Sequence, residues 1–147
     1  MDDLAQFLQF LRDRIAEDEQ TARAATWDEW DSAHWTARPP QAAYERYTVA
    51  DHLDDGVVVV TPENADADGV GQHIARHDPA RALREVEAKR RLVDEFAATG
   101  SVPDTPERRA SPHWKGDFGY LQGLARAVHL LALPYSDHPD YLDAWRP

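Results

Sequence analysis

An Asp-Pro dipeptide at positions 78 and 79 separates two stretches of helical spacing, and it forces this part of the chain to fold as two helices rather than one. Proline disfavours helical geometry at the residue before it, yet it suits the first position of a new helix. Asp78 therefore reads as an N-cap and Pro79 as the opening of a helix expected over 79–98, with a shorter helix over 70–77 ahead of it. On the longer helix Leu83, Val86, Val93 and Phe96 supply the buried side. Glu85 and Lys89, Glu87 and Arg91, Arg90 and Asp94, and Arg91 and Glu95 stand four apart with opposite charge. Such pairs are worth only ~0.2–0.5 kcal/mol each, so they mark a solvated face.

The same periodicity predicts two further helices. Leu4, Phe7, Leu8, Leu11 and Ile15 recur at spacings of three and four, giving a helix over 3–25 whose N-terminus is complemented by Asp2 and Asp3. Phe118, Leu121, Leu124, Ala125, Val128 and Leu131 give another over 117–133, ended by Pro134. Between 26 and 62 the helical period gives way to two β-rich runs, Tyr44 to Val49 and Val57 to Val60. The connection between them ends in Asp55-Gly56, which predicts an antiparallel hairpin, and a lone hairpin must pack on a helix to persist. Residues 99–115, with four Gly or Pro, read as a loop, and 135–147 as a docked tail in which Tyr141 and Trp145 face the same way. The expected class is α+β: predominantly helical, with three main helices and a small antiparallel β-hairpin between helix one and the central helices. At 147 residues the expectation is one domain.

Charge narrows the range of partners. The formal net charge is -11. Residues 1–70 hold 16 Asp and Glu against 5 Lys and Arg, whereas residues 71–147 hold 11 of each, so the first half carries the whole excess. That field repels phosphate backbones and anionic lipid. The expected partner is a basic protein, not nucleic acid or a membrane, and self-association stays open. The chain has no cysteine, which excludes disulfides, thiolate metal sites and cysteine nucleophiles. It has no apolar run long enough to span a bilayer, and Met1-Asp2-Asp3 has the wrong charge for a signal peptide, so a cytoplasmic protein is expected.

His73 and His77, at i,i+4 spacing, are the nearest thing to a chemical motif. On one helix face they can share zinc, nickel or manganese, with His52, Asp51 or His113 as the third ligand such a site needs. Ile74 stands where a zinc-protease helix carries Glu, and histidines at helix ends commonly serve as plain polar contacts; no cofactor is therefore expected, and a divalent metal is the alternative. Asn64-x-Asp66-x-Asp68-Gly69 resembles the start of a calcium loop, but the twelfth position is Ala75, so an acidic turn explains it. Gly69-Val70-Gly71 lacks the third glycine and the βαβ repeat of a dinucleotide fold, and neither a nucleophile elbow nor a phosphate loop occurs. Trp27, Trp30 and Trp35 cluster near Tyr44 and Tyr47. Trp30 is the expected core anchor, while Trp27, Trp35 and Tyr44 are the candidates for a binding patch.

Three segments together resemble a family of small uncharacterised proteins of streptomycetes and related actinobacteria, also seen in their phages. They are Asp18 to Thr26 with a Trp soon after, His73 to Arg81 continuing through Glu87-Ala88-Lys89-Arg90-Arg91, and Leu131 to Tyr135 with Asp137 to Tyr141 and Trp145-Arg146-Pro147. Where the family reads Thr-Pro-Gly-Pro-Trp, this chain has Thr26-Trp27-Asp28-Glu29-Trp30. The resemblance implies architecture and source, not activity. The function expected from the residues is that of an acidic, non-catalytic binding or regulatory protein. The alternatives are a small metal-dependent enzyme built on His73 and His77, in which the metal activates water, and an acidic decoy that mimics DNA.

Overall fold

The computed structural model describes residues 3–28, 30–61, 69–100 and 104–147. Asp2, Glu29 and the acidic run from Asn64 to Asp68, which carries most of the calcium-loop resemblance, lie outside the described residues. The helices are α1 (Asp3–Ala24), α2 (Gly69–Arg76), α3 (Pro79–Gly100), α4 (Pro106–Arg109) and α5 (Trp114–Ala132). The strands β1 (Thr36–Arg38), β2 (Thr48–Ala50) and β3 (Gly56–Val59) form one antiparallel sheet in the order β1-β2-β3. The fold is α+β and mainly helical, and its sheet has three strands where the sequence suggested a two-stranded hairpin. Among the described residues no helix is long and apolar enough to cross a membrane. Two compact units can be distinguished, residues 1–16 with 87–147 and residues 17–86, and α1 and α3 each contribute to both.

In the first unit the apolar stripe of α1 is buried at Phe7, Leu8, Leu11 and Ile15, and Phe10 joins it. Phe10 falls outside the expected stripe because its cover comes from the tail: its ring lies 5.1–5.8 Å from those of His138, Tyr141 and Trp145. Trp145 is 2% exposed and also touches the ring of Phe7, which stacks on His129 of α5 at 4.2 Å. Val93 and Phe96 of α3 and Leu124, Val128 and Ala132 of α5 complete this core. α5 starts before its apolar period does, with the Trp114 ring 5.4 Å from that of Phe118. Phe118 itself is exposed, contrary to its expected place on the buried side. The expected loop over 99–115 contains α4, capped by the Thr105 side chain accepting from the Arg108 N–H, with Pro106 in the first turn. Beside it the Arg109 guanidinium holds the Asp104 carboxyl below the usual carboxylate range.

The Tyr120 hydroxyl of α5 donates to the Glu95 carboxylate of α3, and this bond, aided by desolvation, raises the phenol above its ordinary range. In a spectrophotometric titration Glu95→Ala should therefore lower the ionisation of one tyrosine. Because the folded value is raised, the bond stabilises fully below the unfolded phenol value, about 10, and its contribution disappears as pH climbs through the folded one. Superimposable titrations of the two proteins would rule the bond out.

In the second unit the sheet is short for local reasons. β1 is stopped by Pro39-Pro40, which have no N–H to donate to a ladder. The run expected as a strand from Tyr44 becomes one only at Thr48, because a turn forms first: the Gln41 N–H donates to Glu45 Oε2 at 2.7 Å, and the Glu45 N–H to the Ala42 carbonyl at 3.0 Å. The β2–β3 loop is closed by Asp51, which is 1% exposed and accepts the Asp55 N–H on Oδ1 at 2.8 Å. Its left-handed position is Asp54, at φ 69°, and not the glycine of the Asp-Gly pair, which instead opens β3. An aspartate tolerates that conformation better than most residues. Helix α2 packs on β1 and β2, with the buried Tyr47 ring lying against Gly71. Asp78 caps α3 by accepting from the Arg81 N–H at 2.8 Å on one oxygen, and with the other it accepts from the Trp35 N–H at 3.2 Å.

Candidate functional site

The segment that follows α1 is held by one buried hydroxyl. Ser32 is wholly buried, and its Oγ accepts from the N–H groups of Trp27 and Asp28 at 2.9 and 3.0 Å while donating to the Asp28 carbonyl at 2.9 Å. The Ser32 N–H in turn donates to Asp28 Oδ1 at 2.8 Å. With its backbone fixed from both sides, the turn presents the Trp27 indole outward at 56% exposure. An open cleft of about 440 Å³ lies beside it, lined by Arg23, Thr26, Trp27, Asp28 and Leu83. That is within the size range of ligand clefts, ~300–1,000 Å³.

Electrostatics decide what such a cleft prefers. Arg23 gives its Nε and Nη2 to Glu19 Oε1 at 3.0 and 2.8 Å, so its charge is largely answered within the chain. Asp28, itself exposed, accepts the Ser32 N–H on Oδ1. An exposed carboxylate and an exposed indole thus adjoin in the chain, a combination that suits a cationic group, with an indole face worth ~0.5–1 kcal/mol to a cation at an exposed site.

Trp30, the expected core anchor, is instead 54% exposed. Ala33 and the Ser32 hydroxyl hub take the interior beneath this turn, leaving the larger ring outside. It carries His34 stacked at 3.9 Å and His52 edge-on at 4.5 Å. The His34 Nδ1–H donates to the Trp30 carbonyl at 2.7 Å, and the His52 N–H to the Asp31 carbonyl at 3.0 Å. Of the three residues expected to bind, Trp27 lines the cleft and Tyr44 stands 87% exposed on the turn before β2. Trp35 is half-buried and gives its Nε1–H to the Ser32 carbonyl at 2.7 Å, which commits it to bracing the turn. The i,i+4 spacing of Trp30 and His34 was the available signal for that ring pair; Arg23, Thr26 and Leu83 had none.

The structure brings His73 and His77 together on α2 and the residue beyond it, with ring centroids 4.3 Å apart. Two of the expected third ligands are committed elsewhere within the same unit. His52 is engaged by Trp30, Asp51 closes its own loop, and His113 precedes α5; among the described residues no group of three or more His, Cys, Asp or Glu is placed to hold a metal.

No curated protein and no solved structure matches the chain. A family model does match, over residues 1–147, so the turn, the cleft and the histidine pair all lie within its span. The chain belongs to that family, the family of unknown function DUF6221.

Proposed function

We propose that the protein is a non-catalytic binding protein of the cytoplasm, of actinobacterial or phage origin, that engages a basic protein segment at the Trp27 cleft. The observation that carries this reading is a pair of indoles, Trp27 and Trp30, each more than half exposed within an acidic stretch. Residues 17–86 hold 15 Asp and Glu against 6 Lys and Arg. Large exposed rings cost solvation unless a partner covers them, and tryptophan is the side chain most enriched at the energetic centres of interfaces. The surrounding carboxylates select a cationic partner and speed its approach.

Anisotropy of a labelled oligo-arginine peptide tests this directly. Micromolar or tighter binding is expected at low salt, weakening steeply as salt is added, and Trp27→Ala/Trp30→Ala should weaken it at least tenfold while a labelled duplex DNA stays free. Equal affinity in the double variant, or affinity indifferent to salt, would defeat the proposal.

A further inference from the structure

His73 and His77 are both exposed, lie one helical turn apart, and are inclined to each other by 39°. The His77 Nδ1 sits 2.8 Å from the His73 carbonyl oxygen. A carbonyl only accepts, so Nδ1 carries the proton, and in the neutral imidazole Nε2 is the nitrogen of His77 left to bind a ligand. The His73 ring has no hydrogen-bond partner among the described residues, which leaves it free to turn the matching nitrogen the same way. An imidazole whose far nitrogen is held by a backbone carbonyl is the usual arrangement behind a metal-bound histidine, because the carbonyl fixes the tautomer and makes the ligating nitrogen more basic. Two nitrogens bound to a tetrahedral ion at ~2.0–2.1 Å stand roughly 3.4 Å apart, within reach of rings at this separation.

We propose that His73 and His77 form a two-imidazole chelate for a borderline divalent transition metal, with copper, nickel and zinc as the ions whose preference for imidazole fits it. The site excludes His52, which the sequence suggested as a third ligand and which the structure places on Trp30. The pair falls short of the three protein ligands that a structural or catalytic site has, so it is an open chelate in which water completes the coordination and the ion exchanges. This inference is independent of the Trp27 cleft and does not require its partner.

Calorimetric titration of the untagged full chain with zinc chloride and with nickel chloride tests it. One ion per chain is expected, at micromolar affinity, with a rise in melting temperature because the ion crosslinks the last turn of α2. His73→Ala and His77→Gln should each weaken binding at least tenfold with unchanged circular dichroism, and His52→Ala should bind as the parent does. Nitrogen-15 spectra should show the Nε2 resonances of His73 and His77 moving on metal addition. No heat of binding, unmoved imidazole resonances, or binding that survives both substitutions would overturn the proposal.

Discussion

Trp145→Ala should cost the protein about 3–5 kcal/mol, a large share of the 5–15 kcal/mol that usually separates a domain from its unfolded state. The side chain is 2% exposed and lies against the rings of Phe7, Phe10 and Tyr141 at 5.1–5.7 Å. Its Nε1–H reaches Asp3 Oδ1 at 3.4 Å, and its carbonyl accepts the His129 Nδ1–H at 2.7 Å. Truncation removes the packing and leaves a cavity that flat rings on three sides fill poorly. Thermal melting should fall by roughly 10 °C or more, with new binding of a hydrophobic dye, and Trp145→Phe should recover most of the loss. Melting within a degree or two of the parent would show that the tail does not belong to the core.

Gly71→Ala should be nearly as damaging, although alanine is the better helix former by ~0.8–1 kcal/mol. A Cβ on residue 71 would stand 2.0 Å from Tyr47 Cε1 and under 3 Å from two more ring atoms. The ring is 3% exposed, so moving it aside means disturbing the side chains packed around it. Either it is expelled or α2 lifts from β1 and β2, at about 1–3 kcal/mol or more. The sign of the effect depends on the ring. In a Tyr47→Ala background the clash is gone, and Gly71→Ala should then stabilise. A double-mutant cycle measured by urea unfolding reads this coupling, and additive effects would exclude the contact.

The parts of the fold legible from sequence are those governed by near neighbours. The apolar spacing of Leu8, Leu11 and Ile15, and the Asp78-Pro79 start signal, act within a few residues, and α1 and α3 follow them closely. What escaped was settled at a distance or by side-chain chemistry without a period. β1 is three residues long, Thr36-Ala37-Arg38, and carries no alternation to detect; it exists because β2 offers a ladder. Tyr44 to Tyr47 has strand-forming rings, but the Glu45 carboxylate closes a turn there. Phe10 is buried by residues more than a hundred positions away.

The candidate site divides the same way. Trp27 was readable as exposed from its charged neighbours Asp28 and Glu29, while the hydrogen bonds of Ser32 that fix the turn, and the ring contacts of Trp30 with His34 and His52, follow no pattern in the sequence. The spacing of His73 and His77 was plain in the sequence. Which residues stand near them could not be, since a third ligand would come from another element.

The pairing of Phe7 with Trp145 also has a meaning in time. Synthesis proceeds at about 5–20 residues per second, so the ring of Phe7 waits roughly 7–30 s for its partner to be made. Residues 17–86 are contiguous and have all their mutual contacts available far sooner. The acidic unit can settle while the first helix still shows water its apolar stripe. During that interval the apolar side chains of Phe7, Phe10 and Leu11 lack the tail that covers them in the folded chain.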